Sequence, residues 1–317
     1  MAAWEVSMNK DSKIYVAGHT GMVGSALVRC LERNGYYNII YRTHSELDLT
    51  DQASTEDFFK AERPEYVFIA AAKVGGIHAN NTYPADFIME NMLIECNLIR
   101  SSYKYGVKKL LFLGSSCIYP KICPQPIKEE YLLTGPLEPT NEAYALAKIS
   151  GIKMCQSYNR QYGTNFICAM PASLYGINDR FDLYNAHVIP AMIIKLHKAK
   201  LNNSPSVELW GTGTPLREFL YVDDMAEACL NLMQTYDGND FINIGSGKEI
   251  SIRALAETLK DVIGYKGELV FDTTKPDGTP RRVLDNTKIL QTGWKPKIEM
   301  EEGLRREYDY YLKIVNN

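Results

Sequence analysis

Tyr144 and Lys148, in Tyr-Ala-Leu-Ala-Lys, are spaced to bring a phenol and an ammonium onto one face of a helix, one turn apart. A nearby positive charge favours phenolate, so the spacing predicts a lowered Tyr144 pKa and a tyrosine able to donate a proton at neutral pH. Tyr-x-x-x-Lys alone arises often by chance. Its value here comes from the preceding apolar run, which ends in Gly114-Ser115-Ser116-Cys117. In a parallel sheet such a strand end faces the ligand crevice, where Ser115 or Ser116 can hydrogen-bond a carbonyl undergoing reduction. The plainer reading of both serines is strand-end capping. Cys117, two residues beyond Ser115, is a candidate base if a neighbouring cation lowers its pKa. His187, in Asn185-Ala-His-Val-Ile-Pro190, is a candidate acid near neutrality. Taken singly, Cys117 reads as a packed thiol and His187 as a loop histidine.

A second constellation lies near the start. Gly18-His19-Thr20-Gly21-Met22-Val23-Gly24 falls between an apolar strand, Lys13–Gly18, and a helical pattern over Gly21–Asn34. Glycines in that context let the backbone turn tightly and approach a pyrophosphate at the helix N-terminus. Sites for NAD place an acid at the end of the second strand, about 20 residues after the glycines. Here Tyr41-Arg42-Thr43-His44 stands instead, and Arg42 offers a forked partner for a 2′-phosphate. The pattern therefore favours NADPH. Asp48 and Leu49, just beyond, are placed to flank the adenine, although they read equally as a helix-entry acid and a core leucine.

The elements that must position these groups follow from periodicity. Strands are expected at 13–18, 38–43, 66–72, 109–115 and 166–171, alternating with helices at 21–34, from Asp51, at 85–105 and at 141–162. Continuous apolar strands alternating with helices mean an α/β fold, a doubly wound parallel sheet (Rossmann) covered on both faces. After about residue 175 the alternation loosens and Pro, Asn and Gly become frequent, which predicts a second, smaller α/β substrate domain. The expected division is 10–175 with part of 205–250 for the dinucleotide, and 176–317, discontinuous, for the substrate. The chain has 317 residues, 45% hydrophobic and 23% charged, with a net charge of −3. That balance fits a globular protein and gives no reason to expect a nucleic-acid partner. No apolar run suits a membrane span, the leading segment with Trp4 and Glu5 lacks a signal-peptide core, and a cytoplasmic location follows. Seven cysteines without Cys-x-x-Cys and five unpaired histidines indicate no disulfide framework and no metal site.

With these blocks in place, the chain resembles the extended short-chain dehydrogenase/reductases that act on nucleotide sugars. Ala71–Ile77, Asn80–Phe87, Gly114–Pro120, Glu138–Asn141 and Lys275–Arg281 narrow the resemblance to the GDP-L-fucose synthases. That family epimerises C-3 and C-5 of GDP-4-keto-6-deoxy-D-mannose and then reduces C-4 with NADPH, giving GDP-L-fucose. The resemblance pairs Cys117 with His187 for epimerisation and assigns Ser115, Tyr144 and Lys148 to reduction. It implies NADPH/NADP contacts at Gly18, His19, Thr20, Gly21, Met22, Val23, Gly24, Arg42, His44, Asp48, Leu49, Leu113, Gly114, Lys148, Pro171, Ala172, Ser173, Leu174 and His187. It also implies substrate contacts at Lys195, Trp210, Arg217 and Asp277. Family members carry Arg at the positions of Thr20, His44 and Lys195, so Arg42 is expected to bear more of the 2′-phosphate, and Lys195 lacks the planar fork.

Two alternatives remain on the same fold: a nucleotide-sugar C-4 epimerase with retained NAD, and a non-catalytic NADPH-binding sensor. A 4,6-dehydratase would want an acidic pair where Ser116-Cys117 stands. The apolar faces of helices 85–105 and 141–162 predict a homodimer through a four-helix bundle.

Overall fold

The computed structural model describes residues 8–183, 186–275 and 277–316. Trp4 and Glu5 of the leading segment, Asn185 of the His187 motif and Pro276 of the Lys275–Arg281 block lie outside the described residues. In chain order the elements are β1 (Ile14–Ala17), α1 (Met22–Arg33), β2 (Ile39–Ile40), α2 (Gln52–Glu62), β3 (Tyr66–Ile69), α3 (Ile77–Thr82), α4 (Pro84–Lys104), β4 (Lys109–Leu113), α5 (Glu142–Tyr162), β5 (Phe166–Pro171) and β6 (Ser173–Tyr175). There follow α6 (Val188–Leu201), β7 (Ser206–Trp210), β8 (Leu216–Tyr221), α7 (Val222–Thr235), β9 (Ile242–Ile244), β10 (Glu249–Ser251), α8 (Ile252–Ile263), β11 (Glu268–Asp272), β12 (Arg281–Arg282), α9 (Thr287–Gln291) and α10 (Met300–Val315).

The apolar runs behave as their composition demands. Six strands form one parallel sheet in the order β2-β1-β3-β4-β5-β9. Alternate residues of each strand enter different cores. Ile14, Val16, Phe68, Leu111 and Ile167 pack with α1 and α7 on one face. Tyr15, Val67, Ile69, Leu110, Phe112 and Cys168 pack with α2, α4 and α5 on the other. The chain leaves β1 in one direction for β2 and returns on the other side for β3. Such reversals place the ligand crevice at the carboxyl ends of the strands. Lys109 is the one charge that opens a strand of this sheet; it is buried, and its Nζ donates to Asp237 Oδ1 at 2.8 Å.

Four of the five expected strands are shorter than the sequence implies, β1 and β4 by two residues each and β2 and β3 by more. β2 stops at Ile40, because Thr43 turns away to donate its backbone N–H to Glu46 Oε2 at 2.7 Å. β3 stops at Ile69, because Lys73 is drawn to buried Asn91 of α4, which accepts from its N–H at 2.9 Å and donates to its carbonyl at 3.0 Å.

A third core joins α6, α8 and α10 to β7 and β8 through Ile193, Leu196, Leu209, Phe219, Leu255, Leu259, Leu304 and Tyr308. β8 lies at the centre of its own small sheet, beside β10, β12 and β6. The helix α6 is not evident from the sequence: Val188–Leu201 carries apolar residues around most of its circumference, so no polar face marks the period. Buried Glu218 of β8 ties the segments together, accepting from Gly247 N (2.7 Å), Leu284 N (2.9 Å) and Asn286 Nδ2 (3.0 Å). No described helix is long and apolar enough to cross a membrane.

Candidate active site

The turn between β1 and α1 meets each requirement of a dinucleotide cradle. Gly18 has φ +84°, and a Cβ there would lie 2.7 Å from Ala71 N. A side chain at Gly24 would collide with the Gly18 carbonyl, so helix and strand pack more closely than any other residue permits. At Gly21 an added Cβ would meet only Gly18 O at 3.5 Å, so the outward side of the turn is open. Gly21 is also the N-cap of α1 and provides no side-chain acceptor for the first-turn N–H groups. Open space facing free donors suits a pyrophosphate. Met22 and Val23, in that first turn, pack partly against the core. Thr20 is exposed, and His19 stacks on Tyr41 with centroids 4.3 Å apart. Desolvation holds the His19 imidazole below its ordinary pKa, against the pull of Glu46.

The residues at the end of β2 correct the simple phosphate-fork reading of Arg42. Its Nη2 donates to Glu62 Oε1 at 2.7 Å, its Nη1 to the Tyr41 carbonyl at 2.8 Å, and its guanidinium lies over Phe58. The fork is occupied within the chain, and a 2′-phosphate has to compete with Glu62 for it. His44 is exposed, 4.0 Å from Asp48 Oδ1. Asp48 closes a turn, accepting from Thr50 N and Oγ1 at 2.9 and 2.7 Å, which holds its carboxyl below the usual range. Leu49 packs against the core, with its carbonyl accepting from Asn97 Nδ2 at 2.9 Å.

The strand-end groups converge. Leu113 ends β4, and Gly114 leaves no room for a side chain beside Met170. Ser115 then caps a short 3₁₀ turn over 116–118, its Oγ accepting from Cys117 N at 3.5 Å. α5 crosses this turn and brings Tyr144 and Lys148 to it. Lys148 Nζ lies 5.9 Å from the Tyr144 ring centroid and 4.7 Å from that of Phe112. Pro171 ends β5, Ala172 is buried with its N–H donating to Ile244 O at 2.8 Å, and Ser173 and Leu174 pair with β8.

Three electrostatic expectations are overturned. The Tyr144 pKa is not lowered; burial, then the neighbouring Cys117 and Glu95, push the phenol well above its ordinary value. Lys148 does not offset that burial, because it is paired with Glu95, its Nζ 3.0 Å from Oε1 in the buried α4–α5 contact. Cys117 is likewise pushed up by burial, a larger effect than the lowering from Ser115, Arg282 and Lys148. Cations do flank the thiol, but desolvation wins. His187 is the N-cap of α6. Its side chain reaches solvent, yet the surrounding protein lowers its pKa by desolvation, so it is neutral rather than poised at neutrality. Among the described contacts none joins it to Cys117.

The residues expected to contact substrate lie on α6 (Lys195), β7 (Trp210), β8 (Arg217) and the segment between β11 and β12 (Asp277). The Trp210 ring is 65% exposed and flanked by Lys195 and Lys275 at 5.9 and 5.7 Å from its centroid. Lys195 Nζ also donates to Glu208 O at 3.2 Å. Arg217 pairs in register with Arg282, and burial and that second guanidinium both lower its pKa. Two adjacent arginines call for an anion between them. Asp277 is engaged within the chain, accepting from Thr212 N and Oγ1 at 2.9 and 2.7 Å, so its carboxylate is shared rather than free.

Sequence reasoning missed Glu95 and Arg282. Glu95 falls on the buried face of α4, in step with Phe87, Asn91 and Leu98, and an acid at such a position is the available signal. Arg282 directly follows the Lys275–Arg281 block, reaches the Ser116 carbonyl at 3.4 Å and acts on Cys117. Because burial keeps Cys117 a thiol, its alkylation by iodoacetamide, followed on its own peptide by mass spectrometry, is expected to rise roughly tenfold per pH unit between pH 7 and 9. A rate already level at pH 7 would mean a preformed thiolate.

The comparisons with known proteins agree with this geometry. The profile of the NAD dependent epimerase/dehydratase family matches residues 14–245. GDP-L-fucose synthase 1 of Arabidopsis thaliana is 58% identical over 309 residues, covering 98% of this chain and 96% of that protein. GDP-L-fucose synthase of Escherichia coli (strain K12) is 52% identical over 310 residues, covering 95% and 97%. The crystal structure of a GDP-L-fucose synthetase from Naegleria fowleri bound to NADP superposes with a TM-score of 0.91 at 28% identity, covering 98% and 97%. With the match extending over nearly the whole length, the chain belongs to the NAD dependent epimerase/dehydratase family, among its GDP-L-fucose synthases.

Proposed function

We propose that this chain converts GDP-4-keto-6-deoxy-D-mannose to GDP-L-fucose, epimerising C-3 and C-5 and then reducing C-4 with NADPH. The observation that carries the reading is the convergence of Ser115, Cys117, Tyr144 and Lys148 beside the Gly18–Gly24 cradle. The named relatives support the choice of substrate.

A 4-keto group acidifies the hydrogens on both neighbouring carbons. In the free chain Cys117 holds its proton and His187 is neutral. The substrate diphosphate, gripped by Arg217 and Lys195 with Trp210 against the base or ribose and Asp277 at a ribose or sugar hydroxyl, brings negative charge that favours imidazolium. Loss of the Cys117 proton to solvent and uptake of one from solvent at His187 then give a thiolate and an acid. The thiolate removes the proton at C-3 or C-5, and His187 protonates the opposite face. The same exchange of protons with solvent resets the pair for the second carbon. Ser115 then donates to the C-4 carbonyl, and Tyr144, kept as a phenol by burial, supplies the proton to the C-4 oxygen. NADPH supplies the hydride when bound. Gly18, Gly21 and Gly24 would admit its pyrophosphate, Arg42 and His44 would serve its 2′-phosphate, and Lys148 would hold the nicotinamide ribose.

We assign 10–175 with part of 205–250 to the cofactor and 176–317 mainly to the GDP-sugar, and we place the protein in the cytoplasm, in keeping with its seven free cysteines. We also propose a homodimer. On the outer faces of α4 and α5, Met89, Leu93, Tyr103, Leu146 and Tyr162 are exposed, and Tyr103 stacks on Tyr162 at 4.3 Å. A second copy set against this pair of helices would form a four-helix bundle. Light scattering is expected to give twice the chain mass of 35.9 kDa, and the chain mass itself would exclude the bundle.

Mixing protein, NADPH and GDP-4-keto-6-deoxy-D-mannose is expected to consume NADPH stoichiometrically at 340 nm. Cys117→Ser is expected to cut GDP-L-fucose formation at least about a hundredfold while C-4 reduction of unepimerised sugar persists. No net consumption with turnover would instead indicate a C-4 epimerase with bound NAD, and binding without turnover a sensor.

A further inference from the structure

We propose that Glu95 is a positioning residue for the reductive step: it docks the Lys148 ammonium in the free chain and so sets how readily Lys148 passes to the nicotinamide ribose. This rests on the reading of Lys148 as the ribose-holding group.

The geometry is specific. Lys148 and Glu95 are 2% and 1% exposed, and Nζ lies 3.0 Å from Oε1 across the α4–α5 contact. Phe112 closes the other side of the ammonium, its centroid 4.7 Å from Nζ. Apart from this ion pair, neither oxygen of Glu95 has a hydrogen-bond partner among the described residues. α5 is shaped around the carboxylate. A Cβ at Gly151 would stand 2.8 Å from Glu95 Oε2 and would run into the Phe112 ring.

Such a pair is a poor device for stability alone, because well-packed apolar residues serve a buried contact as well or better, whereas removing one partner leaves a desolvated charge. Its position suggests another use. Among the described residues Lys148 is the one ammonium set against Tyr144 and acting on Cys117 of the strand-end turn, and its pairing with Glu95 holds it there. Ribose hydroxyls that recruit Lys148 must loosen its hold on Glu95. Replacing Glu95 by the isosteric, uncharged Gln therefore harms the free chain more than the NADPH-bound one, and linkage turns that difference into tighter NADPH binding.

The test is a double-mutant cycle in NADPH affinity, read by cofactor fluorescence without turnover, on the parent, E95Q, K148M and E95Q/K148M. E95Q is expected to bind NADPH about fivefold more tightly or better, and that gain should vanish in the K148M background. Affinity equal to or weaker than the parent's in E95Q, or a gain that survives K148M, overturns the proposal. If E95Q does not fold, E95D decides. Its shorter carboxylate loosens the contact, so tighter binding supports the proposal and unchanged or weaker binding overturns it. Failure of the parent to bind NADPH would instead overturn the cofactor assignment, and failure to turn over the keto sugar would overturn the proposed function; neither outcome resembles a parent that binds NADPH but shows no coupling.

Discussion

Desolvation at the carboxyl edge of the central sheet is the constraint on which the site depends. It pushes the pKa of Cys117 up, that of Tyr144 far up and that of His187 down, so each of these groups rests in its neutral form. Glu95 is raised by the same burial and drawn back by Lys148. A crevice of neutral acids and bases cannot create charge cheaply on its own. The charge has to arrive with an anionic ligand, toward which Arg217, Arg282, Lys195 and Lys275 are grouped.

The fold creates that condition by close approach rather than by a deep cavity. Gly24 lets α1 settle on the β1 turn, Gly114 lets β4 end against Met170, and Gly151 lets α5 pass over Phe112 and Glu95. Each removes a side chain where two backbones, or a backbone and a ring, must touch. The result brings the glycine cradle, the Ser115–Cys117 turn and the Tyr144/Lys148 face within one strand-end region, with α4 and α5 as its rigid wall.

Much of this was legible in the chain itself. The parallel sheet follows from continuous apolar strands such as Leu110–Leu113. The glycine turn and the Tyr144/Lys148 spacing mark the site because local geometry fixes both. What escaped depends on contacts between distant segments. Spacing brings Lys148 to Tyr144, but only the α4–α5 packing shows that Glu95 takes its charge. Arg42 looks free beside Thr43 until Glu62, 20 residues later, claims its fork. β2 and β3 end early because of Glu46 and Asn91, partners that no strand pattern reveals.

The central chemical claim is that protons leave and return at two ring carbons before the ketone is quenched. Turnover in deuterated water with unlabelled NADPH, followed by NMR of the GDP-L-fucose formed, examines it directly. The mechanism requires deuterium at C-3 and C-5 and protium at C-4. A sugar ring without solvent deuterium at C-3 and C-5 would contradict it.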